Sequence, residues 1–127
     1  MNRVLLSQLL ISLHVGDGPG AYFLADEFWR VLYVGRSTNL RDRLLEHLPG
    51  RESNPVIRNL QPSRAWYLNL ASEQDAYAWE ALGYDYYNPP GNSIRPAVPP
   101  EPKPSLLAAM LGASDGGTFE GSFGQHF

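Results

Sequence analysis

Between Gly20 and Leu48 the sequence reads strand, turn, strand, helix with almost nothing to spare, and this run constrains the fold more than any other. Ala21–Ala25 and Arg30–Val34 are dominated by apolar and aromatic residues, as strands are. Asp26-Glu27-Phe28-Trp29 joins them as a turn, which makes a β-hairpin. Ser37-Thr38-Asn39 then supplies helix N-cap candidates. Leu40, Leu44 and Leu48 follow at i, i+4 and i+8, one stripe of a helix that Pro49-Gly50 stops. A hairpin feeding directly into an amphipathic helix belongs to mixed α and β structure.

The remaining elements fit around this unit. Arg64–Leu70 alternates well enough for a third strand. Ser72-Glu73-Gln74-Asp75 has the composition of a helix start, so a second helix is expected from about Glu73 to Tyr87, ending at Asn88-Pro89-Pro90. Its apolar side carries Ala76, Trp79, Leu82, Tyr86 and Tyr87, and Gly83 within it costs about 1 kcal/mol relative to Ala unless something packs closely there. Leu5, Leu6, Leu9, Leu10 and Leu13 recur at roughly helical spacing, which favours a short helix over residues 4–13 and leaves strand as the alternative. Residues 51–63, with Pro55 and Pro62, read as a loop or short helix. Past Asn92 the chain becomes Pro-rich, then Gly-rich, with Phe119, Phe123 and Phe127 in its last stretch. The expected organisation is a lead-in at 1–17, a domain at 18–100, and a tail at 101–127 that is either disordered or a docking motif.

One domain is all that 127 residues allow, with enough chain for a core that needs no staple. The absence of cysteine excludes disulfide scaffolds, thiolate zinc sites and cysteine nucleophiles, and suits a reducing cytoplasm. Val4–Leu13 is interrupted by Ser7 and Gln8 and leads to no small-residue cleavage site, so a signal peptide is not expected. No apolar run approaches the ~20 residues that span a bilayer. A formal charge of −3 argues against a basic coat for nucleic acid. Between residues 30 and 64, however, seven arginines face three carboxylates, so positive charge gathers around the hairpin and its helix.

Within that region the chemistry-bearing residues form an ordered series. Gly20-Ala21-Tyr22 and Tyr33-Val34-Gly35 put two phenols on neighbouring strands; each triplet alone is ordinary strand and turn composition. Arg43 and His47 lie one turn apart beside the leucine stripe, facing the same way. Arg43 offers a planar, permanently charged fork for phosphate oxygens, or a salt bridge to Glu46. His47 is suited to accept or relay a proton, or to serve as a polar residue on a helix flank. Glu80 projects at the edge of the apolar side of its helix, where an uncompensated carboxylate is costly. A single hard divalent ion, Mg²⁺ or Mn²⁺, would compensate it, with water and substrate oxygens completing the shell. Asn92 sits in a Pro-Gly turn, placed to bond the backbone of the site or to make an Asx turn. Together these residues read as a metal-dependent phosphodiesterase site.

The series resembles the GIY-YIG nuclease superfamily. Gly20-Ala21-Tyr22 matches its first motif and Tyr33-Val34-Gly35 its second, eleven residues apart from tyrosine to tyrosine. Arg36 stands where a basic residue follows the second motif, and Arg43 comes ten residues after Tyr33. His47, Glu80 and Asn92 continue the match, which covers residues 18–95; Ala21 departs from the usual branched residue. The resemblance implies a small three-stranded antiparallel sheet flanked by helices. It implies one-metal hydrolysis of DNA with Glu80 as metal ligand and Tyr22, Tyr33, Arg43, His47 and Asn92 at the catalytic site. Gly35, Arg36 and Arg41 are assigned to substrate binding, and Tyr33, Tyr22 and His47 all stand as candidates for the proton acceptor. The expected partner is DNA, with a targeting protein engaging the C-terminal tail as a further expectation. The rival reading is a catalytically weak nucleic-acid-binding or protein-interaction module on the same fold.

Overall fold

The computed structural model describes residues 1–93 and Pro96. Expectations for the tail at 101–127 and for most of the Pro-rich stretch before it lie outside the described residues. The elements, in chain order, are β1 (Asn2–Leu5), α1 (Gln8–His14), β2 (Gly20–Ala25), β3 (Val31–Ser37), α2 (Leu40–Glu46), α3 (Pro55–Leu60), β4 (Arg64–Asn69) and α4 (Glu73–Tyr87). The sheet has four strands in the order β1-β4-β2-β3, every neighbouring pair antiparallel.

The fourth strand corrects the three-stranded expectation. What reads as one helix over residues 4–13 is a strand and a helix: Asn2–Leu5 pairs with Arg64–Tyr67, and Ser7 caps α1 by accepting from Leu10 N. Ser7, an interruption in the apolar run, is the start signal of the helix. The hairpin closes through Asp26, whose Oδ1 accepts from Phe28 N and Arg30 N, while Trp29 takes a positive φ of 64°. A register shift between Leu24 and Ala25 accommodates the extra residue there.

Alternation along β2 separates two cores. Tyr22 and Leu24 join Ile11, Val15, Leu40, Leu44 and Ile57 on the side covered by α1, α2 and α3. Ala21, Phe23 and Ala25 join Val34, Trp66, Ala78 and Trp79 on the side covered by α4. Because both faces are covered, all six residues of β2 are buried. Gly83 is the point of closest approach: a Cβ there would lie 2.6 Å from the Phe23 ring, so its helix-propensity cost is what lets α4 settle on the sheet. Ser72 caps α4 by accepting from Asp75 N, and Glu73 and Asp75 in the first turn complement the helix dipole.

The strand β3 is an edge, and the segment after α4 closes part of it. Asn92 Oδ1 accepts from Val34 N at 2.9 Å and Asn92 Nδ2 donates to Val34 O at 2.9 Å, while Gly91 N donates to Leu32 O at 2.7 Å. One side-chain amide thus replaces the missing neighbour strand at Val34, between Tyr33 and Gly35.

Candidate active site

The register of the hairpin explains why the second triplet ends in glycine. Tyr22 and Gly35 are direct partners across β2 and β3, and a Cβ on Gly35 would stand 2.4 Å from both Cζ and the hydroxyl of Tyr22. The phenol lies in the space that any other residue would fill. Tyr33 pairs with Leu24, so its side chain is on the same face as that of Tyr22. The two rings sit 6.1 Å apart, and Tyr22 is wholly buried whereas Tyr33 is partly exposed.

The helix α2 adds the next groups. His47, at its C-cap, packs its ring 5.2 Å from that of Tyr22 and 5.8 Å from that of Tyr33. His47 Nε2 lies 2.8 Å from the Tyr22 hydroxyl. Its Nδ1 meets Glu52 Oε1, a residue the sequence reading did not select. His47 and Glu52 are 7% and 8% exposed, so this is a buried polar pair and not a surface contact. Arg43 lies near enough to Tyr22 for its charge to act on that phenol, donates to Arg36 O at 3.4 Å through Nη1, and holds Glu46 at 3.2 Å through Nε. The salt bridge to Glu46 and the approach to the phenol thus coexist in one guanidinium.

From the opposite face α4 brings Glu80. Its side chain is 12% exposed and forms an ion pair with Arg36, Nε to Oε1 at 3.1 Å. The Arg36 Nε–H is not aimed at that oxygen, so the contact is between charges without an aligned hydrogen bond. Arg36 also lies 3.6 Å from the centre of the Tyr77 ring. Burial raises the Glu80 carboxyl above its ordinary 4.5, against the opposing pull of Arg36 and Arg43. Tyr22 is raised well above 10.0 by burial and then by Tyr33, and Tyr33 is raised by burial and then by Glu80, with Arg43 opposing both. Glu80 and Tyr33 therefore interact electrostatically although they belong to different faces of the sheet. Arg36, on the edge strand β3, is the residue that pairs with Glu80.

The expected residues do not all converge. Tyr22, Tyr33, Gly35, Arg43 and His47 form one cluster, with Arg36 and Glu80 at its rim and Asn92 fastened to Val34 behind it. Arg41 goes elsewhere: its Nε donates to Val15 O at 2.8 Å, tying α2 to the end of α1. Among the described residues no group of three or more His, Cys, Asp or Glu side chains forms a metal cage. The donor set present is a single largely buried carboxylate, paired with Arg36. That fits a hard divalent ion held mostly by water and substrate oxygens and does not fit an all-protein site.

The backbone arrangement has solved counterparts. The GIY-YIG N-terminal endonuclease domain of UvrC from Thermotoga maritima, in its magnesium-bound form, is 20% identical with a TM-score of 0.54, over 63% of this chain and 89% of that domain. A point mutant of the same domain bound to its catalytic divalent cation is 18% identical with a TM-score of 0.55, over 65% of this chain and 90% of that domain. The chain has the GIY-YIG fold. No family model and no curated relative matches its sequence. At this identity the likeness speaks for the GIY-YIG fold, and the side-chain geometry above has to carry the chemistry.

Proposed function

We propose that this protein is a divalent-metal-dependent endonuclease that hydrolyses phosphodiester bonds in DNA. The observation that carries the reading is that Arg36 on the β3 edge joins Glu80 of α4, at 3.1 Å, to Arg43 of α2, which donates to the Arg36 carbonyl at 3.4 Å, beside the Tyr22–His47 pair. A binding module gains from Arg43 but has no use for a carboxylate whose charge is disfavoured by burial. The fold likeness supports the same reading, since the magnesium-bound counterpart is described as an endonuclease domain.

Glu80 would hold Mg²⁺ or Mn²⁺, which when bound supplies a Lewis acid to the phosphate and the leaving oxygen. Arg43 presents its fork to the non-bridging oxygens, and the negative charge growing there in the transition state strengthens the contact. Tyr33, the accessible phenol, takes the proton of the attacking water. Tyr22 is too buried to touch substrate and acts from behind Tyr33. Arg36 screens Glu80 and sits beside the phosphate path, Gly35 makes room for the Tyr22 ring, and Asn92 fixes the strand carrying Tyr33. Arg41 keeps a structural role. The DNA contact is local, through the arginines around the hairpin helix, because the whole chain carries a formal charge of −3. A targeting protein that engages the C-terminal tail would supply the selectivity this small domain lacks. Among the described residues no helix is long and apolar enough to cross a membrane.

The test separates binding from turnover. Duplex DNA is titrated with the protein while Mg²⁺ is varied, and binding and cleavage are read in the same samples. Metal-dependent cleavage that Glu80→Ala abolishes while binding survives supports the enzyme. Binding without cleavage under every metal condition supports an interaction module on the same fold.

A further inference from the structure

The hairpin turn puts its bulkiest residue where the backbone suits it least. Trp29 has a φ of 64°, the left-handed region that Gly or Asn fills in turns and that a large side chain occupies only under strain. Packing holds it there: its ring lies 4.7 Å from that of Trp66, on the α4 face of the sheet. Two guanidiniums then share the Trp29 ring. Arg3 Cζ is 5.3 Å from its centre and Arg64 Cζ 5.2 Å, and Arg3 is also 5.4 Å from Trp66. Strand register brings them together. Arg3 is the direct partner of Trp66 across β1 and β4, and Arg64 precedes Trp66 by two residues, so all three side chains leave the same face. Among the described residues neither Arg3 nor Arg64 forms an ion pair. The turn's own cation, Arg30, is paired with Asp26 at 2.8 Å, and Glu27 is exposed.

Two like charges on one indole repel each other in the free protein, and a neutral side chain on a similar stem would cover the ring without that cost. An anion lying between them turns the repulsion into attraction. Stacking on the ring occupies the guanidinium faces and leaves their N–H edges for phosphate oxygens. We infer that Arg3 and Arg64, held on Trp29, form a clamp for the DNA backbone that is separate from the cleavage site. The clamp stands at the Asp26–Arg30 end of the hairpin, and Arg36 lies six residues beyond Arg30 along β3. Arg36 pairs with Ala21, a member of the α4-side core, so its side chain leaves the same face as Arg3 and Arg64. At ~3.4 Å per strand residue the separation along the hairpin is about 20 Å, the rise of about six base pairs. One short duplex is long enough to touch both the clamp and the Arg36–Glu80 pair, which gives a grip to a chain whose formal charge is −3.

The choice of DNA rests on the nuclease reading and the clamp on its own geometry, and the two fail separately. Binding of the full chain to a short duplex is measured in EDTA, which suppresses metal-dependent cleavage, over a series of salt concentrations. Wild type is compared with Arg3→Gln, Arg64→Gln and the double variant. The slope of log K against log salt should become shallower by about 1 in each single variant and by about 2 in the double, with melting temperatures unchanged. A second reading needs no variant. Of the three tryptophans, Trp66 and Trp79 are 2% and 5% exposed, so acrylamide quenching reports on the partly exposed Trp29, and duplex should protect it. A slope unchanged in the double variant, a Trp29 quenched equally with and without duplex, or a wild type that binds no duplex at low salt would overturn the clamp. A wild type that shows the slope and the protection yet never nicks with Mg²⁺ or Mn²⁺ removes the endonuclease reading and leaves the clamp standing.

Discussion

The two faces of the sheet are built from alternate residues of the same strands and do different work. On the α4 side Phe23, Val34, Trp66 and Trp79 form an apolar layer closed by Gly83, and charge appears only at its rim, in Arg36 and Glu80. On the α2 side Tyr22 and Leu24 alternate with the same strand's Phe23, and among the aliphatics runs a polar line from Tyr22 through His47 to Glu52. The first face holds the domain together through burial. The second spends part of its burial on polar groups that are satisfied only by one another, an arrangement that specifies geometry more than it adds stability.

Breaking the apolar face should cost the most. Phe23→Ala removes an aromatic with no exposed surface and should destabilise the domain by about 3–5 kcal/mol, read as the midpoint of urea unfolding. A loss below about 1 kcal/mol would mean that α4 does not depend on this contact. Gly35→Ala attacks the seam of the polar face. The added methyl collides with the Tyr22 phenol, so a cost of about 1–3 kcal/mol should come with loss of nicking. If nicking survived at full rate, the position of Tyr22 would be irrelevant to turnover.

Asn92→Ala strips both partners from the Val34 peptide at the edge strand, with an expected cost of about 1–3 kcal/mol. Hydrogen exchange at Val34 should accelerate, and nicking should fall because Tyr33 and Gly35 flank that peptide. Unchanged exchange would show that the clamp does not hold the strand. Glu80→Gln should have the smallest effect on stability and the opposite sign. Burial raises the wild-type carboxyl above 4.5, so its contribution is most favourable below that pH and is lost as pH rises through the raised value. The neutral variant escapes that loss, and its melting temperature should exceed that of wild type by a gap that opens on the alkaline side. A gap that closed with rising pH would refute the strained carboxylate.

The strands of the hairpin, the leucine stripe of α2 and the Ser72 start of α4 were readable because each depends on local chemistry: alternation, helical spacing, a capping side chain. The strand at Asn2–Leu5 was not, because it is too short to show alternation and exists through pairing with Arg64–Tyr67, far along the chain. The site divides in the same way. Tyr22, Tyr33 and Gly35 are placed by hairpin register, and Arg43 and His47 by helical spacing, both of which the sequence carries. Glu52 follows His47 by five residues across Pro49-Gly50, and no periodicity says that the loop folds back to bury its carboxylate. Its only sequence signal is an acidic residue near a histidine. Arg41 shows the converse error: two residues before Arg43 it looked equally available for phosphate, but helical rotation turns it towards Val15.

Supercoiled plasmid incubated with Mg²⁺ or Mn²⁺ and with wild type, Glu80→Ala or Arg43→Ala tests the central claim most directly. Metal-dependent nicking by wild type, reduced about 10²-fold or more in each variant while melting temperatures stay close to wild type, is the predicted result. Nicking that persists without Glu80, or a folded wild type that never nicks with either metal, would contradict it.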